Sequence, residues 1–398
     1  MTNPKKILLL DTGNEWGGGT NSMIELLKRL DRERFAVTCC FYKDYLKGNQ
    51  GRLLSEELAD IGIPLIILPT RKQPLWAKLG KELARGLLAW SVRLRQRSVR
   101  AIDRRWRMVP RALALRQILR EGQFDLLYMN NQPSTNLEGY LAAEPLGLPV
   151  VQHCRVQPEL MAAEAQLVNR LVSRIICVSH GSADVMAACG VERKHITVVH
   201  NAIDHRRPMP PPVEPGFPLD GLVIGTVGRL TGLKSIHHLI EAVAALKAEG
   251  LMLTCLILGE GPQQQALETL AAKLHVVEQL RFVGFQSLPL AWVQRMDACV
   301  LCSSNEGLPR VVLEAMLSGK PVVGSDVTGT RELVVHEQTG LLYAYGDVPA
   351  LTAALRRLLS DQLLRERMGQ AGYRRVVENF SIEAYVAGVS AVLDEALR

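Results

Sequence analysis

Thirteen short runs rich in Val, Ile and Leu punctuate this chain of 398 residues, and helix-like segments separate them from end to end. They fall at 7–10, 36–41, 65–68, 126–128, 150–152, 175–178 and 197–199, then at 222–226, 254–258, 280–283, 298–301, 322–325 and 341–343. None alternates cleanly between apolar and polar residues, the pattern expected of strands buried on both faces. Strands that alternate with helices imply parallel sheets, and such sheets bind ligands at the carboxyl ends of their strands. The expectation is an α/β fold.

One break interrupts this rhythm. Residues 208–218 carry six prolines in eleven positions, a composition that forms neither helix nor central strand and reads as a semi-rigid linker. The expected organisation is an α/β half over 1–206, a linker at 207–219 and a second α/β half over 220–380. The last segment, 381–398, has helical apolar spacing at Ile382, Tyr385, Val386, Val389, Val392, Leu393 and Leu397.

Hydrophobic content of 47% with 22% charged residues fits a soluble globular protein too long for one ordinary domain. No stretch of about eighteen apolar residues could cross a bilayer. The apolar start at 7–10 ends in Asp11 and reads as a buried strand rather than a signal peptide, so the expected location is cytoplasmic. Eight scattered cysteines read as reduced thiols. The lone pair Cys299-x-x-Cys302 has no second pair to complete a zinc site.

The net charge of +7 is unevenly spread. Residues 71–120 hold fifteen Lys or Arg against Glu82 and Asp103, so this segment carries +13 and the remainder −6. Three of the five tryptophans, Trp76, Trp90 and Trp106, lie in it. No nucleic-acid-binding motif accompanies the charge, and nucleic acid is not an expected partner. Leu and Trp interleaved with Arg mark an amphipathic surface for anionic lipid; the bland alternative is a solvated helix pair with basic faces.

The stretch Ser303-Ser304-Asn305-Glu306-Gly307-Leu308-Pro309-Arg310 follows one of the apolar runs, and Glu314 stands eight positions after Glu306. Pro309 suits a first helical turn, so the backbone N–H groups near Gly307 and Leu308 offer an anion site. Two carboxylates so placed could hold two hydroxyl-bearing parts of one extended ligand. The spacing alone is weak, since helix starts favour acidic residues anyway.

The surrounding residues are more specific. Glu306-Gly307-Leu308-Pro309, Glu314-Ala315-Met316, Gly319-Lys320-Pro321-Val322-Val323 and Gly329-Thr330-Arg331-Glu332-Leu333 resemble the nucleotide-sugar segment of retaining glycosyltransferases of family 4. Those enzymes have the GT-B fold, two facing Rossmann-like domains with a cleft between them. The resemblance implies that Glu306 orients sugar hydroxyls and that Glu314 holds the ribose. It implies that Arg229 and Lys234, in Gly228-Arg229-Leu230-Thr231-Gly232-Leu233-Lys234, clamp the diphosphate. Gly228, Gly259 and Gly261 of the Gly-x-Gly-Pro turn, Gly307, Leu308 and Val283 would line the nucleotide. Gly18, in Trp16-Gly17-Gly18-Gly19-Thr20, would close over the donor phosphates. His153, at the end of the run 150–152, would contact sugar as a catalytic group, with Arg155 a weaker candidate. Asn201 and Asp204 match a structural pair at the domain junction, and the terminal helix is expected to return to the N-terminal half.

The reading that follows is sugar transfer from a nucleoside-diphosphate sugar to a hydroxyl acceptor, with retention and without a metal or other cofactor. The expected setting is polysaccharide, cell-envelope or lipid-linked glycan synthesis, peripheral to the inner face of the plasma membrane. The alternatives are a sugar-nucleotide epimerase of the same fold, or a non-catalytic protein that binds nucleotide-sugar or a membrane surface.

Overall fold

The computed structural model describes residues 3–13, 15–48, 51–69, 74–88 and 90–398, and for 92, 93, 95–97 and 100 the backbone only. Seven parallel strands form the first sheet: β1 (Lys5–Asp11), β2 (Phe35–Phe41), β3 (Leu65–Ile67), β4 (Leu126–Asn130), β5 (Val150–Cys154), β6 (Arg174–Cys177) and β7 (Ile196–Val198), in the order β3-β2-β1-β4-β5-β6-β7. Six more form the second: β8 (Leu222–Val227), β9 (Leu253–Leu258), β10 (Leu280–Gly284), β11 (Ala298–Leu301), β12 (Val322–Ser325) and β13 (Gly340–Tyr343), in the order β10-β9-β8-β11-β12-β13. Each sheet reverses its winding beside its first strand, between β1 and β4 and between β8 and β11. A crevice forms at such a switch point, just past the strands' carboxyl ends.

The strands are apolar throughout because helices cover both faces of each sheet. Ile7 and Leu9 of β1 enter one core layer, whereas Leu8 and Leu10 enter the layer on the opposite face. Cys299 and Cys302 likewise fall in different layers, and burial pushes both thiols up to about 12, so the C-x-x-C pair cannot converge on one ion.

The proline-rich segment is pinned to the C-terminal half. Val213 N–H donates to the Ala291 carbonyl at 3.1 Å, and Phe217 stacks on Trp292 with ring centroids 6.2 Å apart. The terminal helix Ile382–Ala396 crosses back over the first sheet. Its Ile382, Tyr385, Val389, Val392 and Leu393 are buried with Tyr128, Val151 and Ile176. Ser381 caps it through the Ala384 N–H.

The basic segment forms the helices Leu75–Leu87, Val92–Asp103 and Val109–Glu121. The third is a core helix that buries Ala112, Leu115 and Leu119. The first is turned the other way. Its Ala77 is fully buried, and Gly80 lies against Ile102, whereas Leu75, Leu79, Leu83 and Leu87 are all at least 60% exposed. Trp76 packs edge-on against Trp106 at 4.6 Å and stays exposed, as does Trp90. Arg71 and Lys72 of the segment lie outside the described residues.

Candidate active site

A cleft of about 1460 Å³ runs between the two halves and is lined from both. Its C-terminal wall is built at the ends of β8, β9 and β11. β8 runs into Gly228 and Arg229, and a short turn then brings Lys234 back toward β11. The Lys234 ammonium stands 2.5 Å from the Glu306 carboxylate, both side chains largely buried. Gly259, at the end of β9, has φ +130° and lies so near the Gly228 carbonyl that a Cβ would stand 1.9 Å from that oxygen. Only glycine lets these two loops close up and leave the wall clear.

The helix Arg310–Leu317 starts directly after Pro309, its first turn facing the cleft at Leu308, Pro309 and Arg310. Its unpaired N-terminal N–H groups favour negative charge there. Glu314, one turn along, also lines the cleft. Burial pushes its carboxyl above the usual range, and the Arg310 guanidinium, 3.8 Å away, offsets this only in part.

Opposite this wall stands the loop that opens the helix Gly18–Leu27. Glu15, Trp16, Gly17, Gly18 and Gly19 all line the cleft. Glu15 forms an ion pair with Arg229 at 2.6 Å, so the cation expected to meet a diphosphate is bridged to the other half. Arg310 reaches across as well, with Nη1 3.4 Å from Ser22 Oγ and 3.3 Å from the Ala202 carbonyl.

Beneath the glycine loop lies a buried polar network at the carboxyl edge of the first sheet. Arg155 donates from Nε to Asn130 Oδ1, from Nη1 to Asn201 Oδ1 at 3.2 Å and from Nη2 to the Tyr385 hydroxyl at 3.0 Å. Burial works against the Arg155 charge, yet Tyr385, Tyr128 and Asp11 hold its pKa above the ordinary value. Asp11 accepts from Asn130 Nδ2 and the Gly13 N–H, and burial still raises its carboxyl. Asn201 ties this network to the other half, donating to the Leu308 carbonyl at 3.1 Å.

Of the residues singled out in the sequence, Glu306, Arg229, Lys234, Gly18, Gly228, Gly259, Gly307, Leu308 and Glu314 converge on this one cleft. Three do not. His153 belongs to β5 itself rather than to the loop after it, and its ring lies between Tyr128 and Tyr385, fully buried. Its Nδ1 meets the Tyr128 hydroxyl. Burial, and then the Arg155 charge, hold its pKa well below the usual range, so it stays neutral. Arg155, two positions on, lines the cleft in its place. Gly261 is a packing glycine under Leu230, where a Cβ would stand 2.4 Å from the carbonyl oxygen. Val283 packs into the apolar layer behind the wall, and Phe285 reaches the cleft instead. Glu15 and the cross-cleft reach of Arg310 were not legible beforehand, because Arg229, Ala202 and Ser22 lie more than a hundred positions from them in the chain.

Both halves match described families. Residues 16–207 match Glycosyltransferase Family 4, and residues 212–375 match Glycosyl transferases group 1. The chain is 33% identical over 249 residues to a glycogen synthase of Mycobacterium tuberculosis, a match that covers 60% of this chain and 58% of that protein. It is 32% identical to the lipopolysaccharide core biosynthesis glycosyltransferase LpsD of Rhizobium meliloti, over 54% of this chain and 61% of LpsD. The chain thus spans about three fifths of the length of these relatives. It is 30% identical to the 2-deoxystreptamine glucosyltransferase of Streptomyces kanamyceticus, over 66% of this chain and 75% of that one. Among solved structures, Anabaena HepE in complex with UDP-glucose superposes with a TM-score of 0.76 at 20% identity, covering 98% of this chain and 99% of that one. A glycosyltransferase from Rickettsia africae superposes with a TM-score of 0.77 at 16% identity over the whole of both chains.

Proposed function

Since the chain belongs to the GT-B glycosyltransferases, we propose that it transfers a sugar from a nucleoside-diphosphate donor to a hydroxyl acceptor with retention of anomeric configuration. One observation carries the reading. Arg229, Lys234, Glu306, Glu314 and the first turn of the helix Arg310–Leu317 line a single wall of one cleft.

Cleavage of the sugar–phosphate bond builds negative charge on the departing diphosphate. Lys234 and the helix N-terminus are in place before that charge develops, the arrangement that lowers a barrier most effectively, and Arg229 joins them once released from Glu15. They supply the charge that a metal ion would otherwise bring, so EDTA is expected to leave turnover unchanged. Lys234 also holds Glu306 at 2.5 Å, which suits this carboxylate to orienting sugar hydroxyls rather than attacking the anomeric carbon. Glu314, deeper along the helix, accepts from the ribose hydroxyls. Arg155 lines the cleft from the N-terminal half, opposite the donor wall. The leaving phosphate takes the acceptor proton on the face from which it departs.

A polysaccharide or lipid-linked glycan is the acceptor class we favour, with the enzyme on the cytoplasmic face of an anionic membrane. No described helix is long and apolar enough to cross a membrane. The outward leucines of the helix Leu75–Leu87, flanked by Lys78 and Arg85, support a peripheral attachment.

A thermal-shift screen with UDP, GDP, ADP, CMP and their sugar conjugates tests the donor site, since a ligand of the native state raises Tm by mass action. UDP conjugates come first, because HepE, which shares the fold, binds UDP-glucose. Stabilisation by one diphosphate, lost in Arg229→Ala together with turnover, is the expected result. Full activity in Arg229→Ala and Glu306→Ala would place the chemistry elsewhere.

A further inference from the structure

A second cluster of ligating side chains lies at the seam between the halves and takes no part in the cleft. His180 opens the helix His180–Ala188, and His200 follows β7, both in the N-terminal half. Glu332 belongs to the short helix Thr328–Leu333 of the C-terminal half. His200 Nε2 stands 2.6 Å from Glu332 Oε1, and the two imidazole rings meet edge-to-face at 5.5 Å. One ligand atom from each of the three residues lies within 4.8 Å of the other two. None of the three lines the cleft.

We propose that His180, His200 and Glu332 form a divalent-cation site, fitted to Zn²⁺, that fastens the two halves together. Two imidazoles and one carboxylate are a borderline-soft donor set that suits Zn²⁺ and leaves a fourth position for water. At bond lengths of about 2.1 Å the ligand atoms of a tetrahedral ion stand about 3.4 Å apart. His200 and Glu332 must therefore open slightly, and the more distant pair must close. His180 is exposed, so its ring is free to swing inward.

The surroundings hold the other two ligands in place, as outer partners of metal ligands do. The Glu332 carboxylate accepts from the His180 N–H at 2.8 Å and from the Gly181 N–H at 3.2 Å. Phe380 packs edge-on against His200 at 5.4 Å. Arg375, the neighbouring cation, is turned to the backbone carbonyls of Glu332 and Leu333 rather than to the Glu332 carboxylate. Glycine at 181 allows the close seam, since a Cβ there would meet the Thr328 methyl at 1.9 Å.

The hydrogen-bonded triad is then the metal-free form of the fastening, and the ion is its tighter form. An ion bridging the halves resists any change in the angle between them, whatever reaction the cleft carries out. The site stands independently of the donor assignment.

The test uses the metal-stripped full chain. Zn²⁺ is titrated while Tm is followed, and Co²⁺ serves as a spectroscopic probe whose visible absorption reports tetrahedral nitrogen and oxygen ligation. We expect a saturable rise in Tm and a Co²⁺ band in the native chain. Both weaken by more than about tenfold in His180→Ala and in His200→Ala. His180→Ala removes an exposed ring, so its metal-free Tm should match that of the native chain and separate loss of binding from loss of folding. An equal Zn²⁺ shift in the native chain and both variants, or no Co²⁺ band at all, overturns the proposal.

Discussion

Glu15 and Arg229 meet at 2.6 Å across the cleft, one from each half, and each is about half exposed. The carboxylate takes up the guanidinium edge that a diphosphate would use. If the cleft takes a diphosphate donor as proposed, that donor must replace this internal anion. The exchange is nearly even in charge, because one anionic group is traded for another. The pair costs little to break, since an exposed ion pair is worth about 0–1 kcal/mol.

Glu15→Gln should therefore tighten the donor site. The expected change is a fall in donor KM of up to about fivefold, with kcat little altered. Steady-state kinetics at low salt reads it, and the difference should shrink as ionic strength rises. A higher KM would mean that Glu15 helps to hold the donor.

Gly307 is hemmed in from both halves. A Cβ there would stand 2.4 Å from the Arg155 carbonyl oxygen, and the Gly307 carbonyl itself lies close under Gly329. Gly307→Ala should cost about 1–3 kcal/mol by forcing this seam apart, and turnover should fall with it. Gly216→Ala, outside the cleft, is the matched control, because nothing lies within 4 Å of a Cβ at that position. Thermal unfolding and turnover of the two variants make the comparison.

Glu314 is held at a cost to the fold. Burial raises its folded pKa, so the folded state binds this proton more tightly than the unfolded chain does. The native carboxyl therefore destabilises the fold, fully above its raised folded pKa; the penalty shrinks as pH falls through that value and is gone below the unfolded pKa of about 4. Glu314→Gln should raise Tm at pH 7, show little difference from the native chain near pH 4, and weaken nucleotide binding throughout. Melting curves across that range decide it. A Tm that falls at pH 7 would show that the Arg310 pairing outweighs burial.

The outward face of the helix Leu75–Leu87 offers a test that leaves the fold alone. Leu79 and Leu83 are exposed, so Leu79→Ser with Leu83→Ser should change stability by no more than about 0.5 kcal/mol per site. Binding to vesicles containing anionic lipid should drop by at least about tenfold, because each leucine that enters the interface contributes about 1.5–3 kcal/mol. Co-sedimentation with anionic and neutral vesicles separates the two outcomes. Equal binding by the native chain and the variant would remove this face from the attachment.

Much of the fold could be read from the chain because strands covered on both faces leave unbroken apolar runs. Each of the thirteen runs overlaps a strand, and the ends differ by at most two residues. Those errors are informative. β4 and β5 extend through Asn130 and His153, polar residues that are buried and paired at the sheet edge, so an apolar pattern stops short of them. The same extension explains why His153 read as a loop residue. The cleft wall at 306–314 was legible because its residues are local in sequence. Glu15 with Arg229, and Glu332 with His200, were not, since nothing in a linear pattern pairs residues more than a hundred positions apart. The Leu and Trp interleaved with Arg over 71–120 marked an amphipathic surface but did not separate the outward-facing helix Leu75–Leu87 from the core helix Val109–Glu121. That depended on Ala77 and Gly80 fitting the neighbouring helix more closely than leucine would.

The return of the helix Ile382–Ala396 onto the first sheet means that the chain crosses between halves twice, once at the proline-rich segment and once near Phe380. The two halves are therefore not interchangeable cassettes. A chimaera that borrows a foreign donor half over 220–380 must keep this final helix with the acceptor half, or Tyr385 is lost from Arg155 and the floor of the cleft with it. Recombination between relatives is constrained in the same way, and viable exchanges need two breakpoints rather than one.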